Sequence, residues 1–241
     1  MPFQRLDGRS ASQVRPLSFQ RRWLPGVPGS VLAQAGGTRV LCTALVEDGV
    51  PPFLMGSDQG WLTAEYSMLP AATAERRQRD RAGRTDGRAV EIQRLVGRAL
   101  RAIVNRKGFP GRTVWVDCDV LAADGGTRTC AINGAYVALH DAFSALKAGG
   151  ALRSWPLADS VRAVSVGLVE GQPLADLSYY EDSQAEVDLN LVMTGAGRLV
   201  EVSGGAERGT FSLAQFQQLL ELGQEALARV GAAQEAALAA T

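Results

Sequence analysis

The 241-residue sequence predicts an α+β fold. Three observations lead there. Runs of β-branched and apolar residues cluster as hairpins, helical apolar spacing comes in separate blocks, and glycine or proline divides the two. A doubly wound sheet would instead alternate strand and helix. At 46% hydrophobic residues, the chain can build a substantial core.

In chain order, residues 31–35 and 40–46 read as two strands around Gly36-Gly37. Segment 51–70 is turn-rich and then extended. Segment 71–89 has too few apolar residues to bury and reads as a surface loop that orders on a ligand. From 90 to 105, Ile92, Leu95, Val96, Ala99, Leu100 and Ile103 recur at helical spacing, closed by Gly108 and Pro110. Residues 114–122 read as a strand. A second helix carries Ile132, Tyr136, Leu139, Phe143 and Leu146 and stops at Gly149-Gly150. Strands are expected at 161–169, 175–180, 187–194 and 199–202, and a last helix at 213–229. The alanine-rich tail, 230–241, reads as a frayed end or a continued helix, with fraying the expectation.

The formal net charge is zero, yet the charge is unevenly spread. Between Arg76 and Arg112, eleven Arg and one Lys face three acids, a local excess of nine. Such a block attracts a polyanion, or is a solvated face. Lys107 and Lys147 are the only lysines. Cys42, Cys118 and Cys130 form no C-x-x-C and sit in or beside apolar runs, as small core residues do. No charged-then-apolar leader opens the chain, and no run of about eighteen apolar residues spans a membrane. A cytoplasmic setting without membrane attachment is the expectation.

Gly125-Gly126-Thr127-Arg128-Thr129 follows a strand and opens a helix. Backbone N–H groups at a helix start lack intrahelical partners, and the helix dipole is positive there. Two glycines allow close approach, and a hydroxyl and a guanidinium complete a phosphate pocket. The alternative is an ordinary turn with Thr127 as the N-cap. Arg88 opens the preceding helix and can reach the same anion, while Arg94, Arg98 and Arg101 read as solvated helix surface. Asp182 and Asp188 would stand about 20 Å apart in one straight strand. If 181–186 is the loop of a hairpin, they converge. Paired carboxylates suit a hard cation such as Mg²⁺. A polar turn before a half-buried strand is the plainer reading, and spacing alone favours it. His140, the single histidine, reads as structural, so a mechanism through a Ser-His-Asp or Cys-His arrangement has little support. Arginines, a helix start and two aspartates suggest chemistry at phosphorus.

These segments resemble the ribonuclease PH family of phosphate-dependent 3′-to-5′ exoribonucleases. The resemblance spans nearly the whole chain. It is carried by RLDGR at 5–9, GWLTAEYSMLP at 60–70, GRAVEIQRLVGRALR at 87–101, GGTRT at 125–129 and EDSQAEVDLN at 181–190. It implies a single domain (1–241) of two pseudo-repeated βα halves, assembled as a homohexameric ring, a trimer of dimers. It assigns phosphate binding to Arg88, Gly126, Thr127 and Arg128, and catalysis to Arg128, Asp182 and Asp188. The two aspartates are the implied ligands of Mg²⁺ or Mn²⁺, and inorganic phosphate is the co-substrate. Arg76, Arg77, Arg79, Arg81 and Arg84, in the 71–89 loop, match the RNA-contacting segment. The implied activity trims transfer-RNA precursors, releasing nucleoside diphosphates, with reversible nucleotide addition and a part in ribosomal-RNA processing. The chain departs from the family pattern at Ala71, usually arginine, at Cys130 and Asn133, and at Gly204-Gly205, usually Gly-Thr. The alternatives are a non-catalytic RNA-binding subunit of an exosome-like ring, a hydrolytic exonuclease and a purely structural domain. Retention of Arg88, Thr127, Arg128, Asp182 and Asp188 argues against the first.

Overall fold

The computed structural model describes residues 3–78 and 86–240. Strands β1 (Leu17–Arg21), β2 (Ser30–Ala35) and β3 (Thr38–Asp48) form an antiparallel meander. With β4 (Trp61–Met68) and β5 (Arg112–Ala122) they make a five-stranded sheet of order β1-β2-β3-β5-β4. Only β4 and β5 run parallel, and such a pair needs a crossover, here containing α1 (Gly87–Arg101). After α2 (Thr127–Ala148) comes an antiparallel four-stranded sheet of order β7-β6-β8-β9. Its strands are β6 (Val161–Val169), β7 (Gln172–Ala175), β8 (Val187–Thr194) and β9 (Leu199–Ala206). A short helix, α3 (Tyr179–Asp182), precedes β8, and α4 (Leu213–Ala239) ends the chain. Two sheets with helices in separate blocks bear out the α+β expectation.

Helix α2 packs on β2, β3 and β5 of the first sheet and also touches β6 of the second. It is therefore buried on nearly every side from Cys130 to Phe143, rather than along one stripe. Asn133 uses this burial fully. Its amide donates to the Ala163 carbonyl (2.9 Å) and accepts from the Ala163 N–H (2.8 Å), stitching α2 to β6. Buried Gln234 of α4 donates to the carbonyls of Asn133 and Val161. The three cysteines are buried and free, with Cys42 and Cys118 facing each other across β3 and β5.

Several expected boundaries shift. Helix α1 begins at Gly87 rather than 90 because the Asp86 carboxylate accepts from the Arg88 N–H at its N-cap. It ends at Arg101 because Val104 leaves to pair with Leu157. The strand expected at 175–180 is absent: β7 stops at Ala175, and Tyr179–Asp182 is a helical turn. Ser178 and Glu181 form a reciprocal capping box there, a Ser-x-x-Glu signal that outweighs the β propensity of two tyrosines. Arg101 is no freely solvated residue, since it donates to the Leu62 carbonyl and covers the Trp61 ring.

The frayed tail expected from 230 is also corrected, because α4 continues to Ala239. Val230, Gly231 and Gln234 are buried, and Arg21 closes the helix end. Its Nη1 donates to the carbonyls of Ala237 (3.0 Å) and Ala240 (2.6 Å). Its Nε and Nη2 hold the buried Asp141 carboxylate at 2.8 and 2.7 Å. Truncating Arg21→Ala leaves Asp141 buried without its cation, which costs about 3–5 kcal/mol. The expected result is a lower unfolding midpoint with faster amide exchange over 236–240. An unchanged midpoint would show that the cap is dispensable.

Candidate active site

Five chain segments converge on a cleft of about 370 Å³. The starts of α1 and α2 contribute Arg88 and Gly126, Thr127 and Arg128. The α3–β8 segment contributes Asp182, Ser183, Ala185, Asp188 and Asn190. Ser165 on β6 and Glu207 and Arg208, beyond β9, complete the wall.

The α2 start is built by two left-handed glycines, Gly125 (φ 72°) and Gly126 (φ 61°). At Gly125, a Cβ would lie 2.7 Å from backbone atoms of Leu177, Ser178 and Tyr179, so only glycine lets the two segments meet. Thr38 fixes the loop from the sheet side, donating to the Gly125 carbonyl (2.6 Å) and accepting from the Asp124 N–H (2.9 Å). Gly126 takes the N-cap position, so Thr127 is the first helical residue rather than the cap. The buried Thr127 hydroxyl accepts from the Tyr66 hydroxyl at 2.8 Å. Arg128 donates to Glu91 of α1 at 3.0 Å. Arg88 is exposed, and its guanidinium has no ion pair among the described residues.

The two aspartates converge, but not by the expected hairpin. Strand β8 pairs with β6 and β9, not with the segment before it. Asp182 is the last residue of α3, whose helical turn brings it near Asp188 at the start of β8. Burial and the neighbouring Asp182 charge push the Asp188 carboxyl up to about 6, against partial relief from Arg128 and Arg88. Burial also raises Asp182, again offset by Arg88 and Arg128. Asp188 Oδ1 is buried and has no hydrogen-bond partner among the described residues. No group of three or more His, Cys, Asp or Glu that could enclose an ion occurs among the described residues.

Glu181, one residue before Asp182, has the opposite fate. Burial alone would raise it, but Arg5 donates twice to its carboxylate, at 2.7 and 2.8 Å, and holds it below the usual glutamate range. Asp176 is likewise held low by Arg15 despite its burial. Arg9 bridges the two, reaching Asp176 and Glu181 at 3.4 Å. Arg5 and Arg9 of the RLDGR segment thus belong to a buried ionic network behind α3.

His140 lies outside the cleft, half-buried edge-on to Trp155. Arg76 is exposed, whereas Arg77 pairs with Asp86 at 2.8 Å. Arg79, Arg81 and Arg84 lie outside the described residues. Sequence reasoning missed Asn190, Ser165, Glu207, Arg208 and Tyr66. Asn190 was within reach, since it stands two residues after Asp188 on the same strand face. Ser165 pairs with Asn190 across β6 and β8, which only register reveals.

Residues 13–144 match the family model described as the 3′ exoribonuclease family, domain 1, and residues 159–226 match domain 2. The chain is 52% identical to a ribonuclease PH of Synechococcus sp. (strain JA-2-3B'a(2-13)), over 99% of this chain and 98% of the relative. It is 52% identical to the ribonuclease PH of Corynebacterium efficiens, over 98% and 97%. The chain belongs to the ribonuclease PH family. Among solved structures, the rice (Oryza sativa) Rrp46 has a TM-score of 0.77 at 23% identity, covering 97% of this chain and 100% of that one. An Archaeoglobus fulgidus exosome with RNA bound to the active site gives 0.81 at 20%, covering 95% and 92%. These two show a shared ribonuclease PH-like fold.

The raised Asp188 carboxyl has a cost. Its folded pKa lies above the aspartate value of 3.8, so the folded state favours the proton, and stability is lost as pH rises from about 4 through about 6. In chelator, Asp188→Asn should gain up to about 3 kcal/mol at about pH 7.5 and under about 1 kcal/mol near pH 4. That is roughly 2–4 °C of melting temperature per kcal/mol. Equal melting curves for parent and variant at the higher pH would show that the charge is already compensated.

Proposed function

We propose that this cleft carries out phosphorolysis of RNA 3′ ends, with inorganic phosphate as the attacking group. One observation carries the reading: two arginines, the first turn of α2 and a carboxylate pair open on the same cleft. It agrees with the chain's family and with its 52% identical relatives named ribonuclease PH.

Phosphate and the RNA backbone are both anions. At about 4 Å and an effective dielectric of about 20, two unit like charges repel by roughly 4 kcal/mol. Arg88, Arg128 and the N–H groups at Gly126 and Thr127 offset that repulsion and hold the attacking phosphate. A phosphate oxygen forms a bond to the phosphorus of the last internucleotide linkage. The bond to the 3′ oxygen of the penultimate nucleotide breaks, and that oxygen takes the phosphate proton. The products are a nucleoside diphosphate and an RNA one residue shorter. The new phosphoanhydride keeps the reaction reversible, so diphosphates can extend RNA.

Asp182 and Asp188 would hold a divalent cation, Mg²⁺ or Mn²⁺. Two carboxylates and an orphaned buried oxygen fit an ion that keeps several waters and bridges to substrate phosphate. Such an ion supplies charge neutralisation at the scissile phosphate and the leaving oxygen. A hydrolytic exonuclease with two metals fits less well, because it needs more acidic ligands. The substrates we infer are transfer-RNA precursors, with ribosomal RNA as a further target, in the cytoplasm. No helix among the described residues is long and apolar enough to cross a membrane. Further, we infer one unit of two halves that assembles as a homohexameric ring, a trimer of dimers. Exposed apolar side chains such as Leu45, Trp115 and Leu199 are consistent with buried ring contacts.

A 3′-extended transfer RNA incubated with and without phosphate tests this reading. The expected product is a nucleoside diphosphate, formed only with phosphate. Equal release of monophosphates without phosphate would overturn it. Asp182→Asn and Asp188→Asn should each abolish turnover with RNA binding kept, and Arg128→Ala should raise the phosphate KM in a folded protein.

The arginine-rich loop is assigned to RNA capture rather than chemistry. Because Arg77 also pairs with the α1 cap Asp86, the cleaner variant is Arg76→Ala with Arg81→Ala. Its log–log salt slope for RNA binding should flatten by about 0.7 for each RNA phosphate that the variant no longer neutralises. Turnover at saturating RNA should hold. A parent-like slope means a solvated charge run, and a collapsed saturated rate puts these arginines in the catalytic site.

A further inference from the structure

The phosphorolysis reading needs the attacking phosphate and the carboxylate pair at one fixed separation, yet they belong to different sheets. The α2 start follows β5 of the first sheet, and α3 follows β7 of the second. A buried arginine joins them. Arg15 is 3% exposed and does not line the cleft. Its Nε and Nη2 donate to the Asp176 carboxylate at 3.0 and 2.7 Å, and its backbone N–H donates to the same carboxylate at 2.6 Å. Its Nη1 donates to the Asp124 carbonyl. Asp176 leads into α3, and Asp124 leads into the Gly125-Gly126 turn.

The joint leaves no slack. Gly125 already touches the 177–179 backbone, and a Cβ on Gly126 would stand 3.0 Å from Arg15 Nη2. The Tyr179 N–H reaches Asp124 Oδ1 at 3.4 Å. Arg15 therefore holds the phosphate turn and the acid helix together at their roots, from behind the cleft.

We propose that Arg15 is a positioning residue for phosphorolysis, setting the distance between the phosphate held at the α2 start and the Asp182–Asp188 pair. The proposal rests on the phosphorolysis reading. A planar fork can bind the Asp176 carboxylate on two atoms and still reach the Asp124 carbonyl with the third, which a lysine ammonium cannot do in the same geometry. Arg15→Lys keeps the charge and most of the volume but loses the span. A misplacement of about 1 Å at reacting groups can cost about a hundred-fold in rate.

The test compares Arg15→Lys with Arg21→Lys. Arg21 is also tied to a buried aspartate, Asp141, but it holds α4 rather than the cleft. Both variants are assayed below their melting temperatures with phosphate and transfer-RNA precursor varied separately. For Arg15→Lys we expect the phosphate KM to rise about ten-fold and kcat to fall, with RNA affinity within about two-fold of the parent. Arg21→Lys should melt lower with phosphate kinetics unchanged. Should Arg15→Lys not fold, Asp176→Asn carries the same test: it keeps an acceptor for Arg15, removes the charge, and should shift phosphate kinetics in the same direction. Unchanged phosphate kinetics in the folded variant, or an equal shift in Arg21→Lys, overturns the positioning role. Absence of phosphate-dependent release in the parent would instead overturn the phosphorolysis reading.

Discussion

The buried ionic network of Arg5, Arg9 and Arg15 with Asp176 and Glu181 is the constraint on which the cleft depends. Buried ion pairs add little net stability, because desolvation cancels much of the attraction. What they supply is geometry. Each guanidinium accepts only a few directions of approach, and a misplaced partner leaves a bare charge in a low-dielectric interior. The network therefore ties the N-terminal segment, the turn at 124–126 and the entry to α3 into a single arrangement. The cleft lies in front of that arrangement.

The network also lets adjacent carboxylates behave differently. Glu181 and Asp182 are neighbours on one helical turn, yet one is held low and the other raised. Glu181 points back to Arg5 and the Ser178 N–H, which stabilise its charge. Asp182 faces the cleft, where burial costs it more than Arg88 and Arg128 return. Asp188 carries this further, with a buried oxygen that has no partner among the described residues. The charges behind the cleft are satisfied within the protein, whereas the Asp182 and Asp188 carboxylates in front of it have no ion pair among the described residues. Such division of pKa values marks functional sites.

Arg88, Thr127, Arg128, Asp182 and Asp188, which line the cleft, were named from the sequence: the first three as an anion site at two helix starts, the two aspartates through the family resemblance, since their spacing alone favoured a plain polar turn. How they come together was less legible. Local pattern suggested a hairpin for Asp182 and Asp188, whereas a Ser-x-x-Glu capping box makes a helical turn. Ser165 and Asn190 meet only because β6 and β8 pair in one register. RLDGR entered as a motif and nothing more, since a pairing between residue 5 and residue 181 leaves no local trace.

The sequence by itself determined the α+β class, the helices around Ile92–Ile103 and Ile132–Leu146, strands β6 and β8 within their observed bounds, and the types of residue that line the cleft. Those are properties of spacing and composition within a few turns or strands. Tertiary structure alone decided that α4 stays helical to Ala239, that Asn133 is a bridge to β6, and that Arg15 spans two sheets. The physical reason is the same in each case. The stabilising partner lies far along the chain: Arg21 for the tail, Ala163 for the amide, Asp124 and Asp176 for the guanidinium. A local window carries propensity, but not the identity of what a buried polar group will meet.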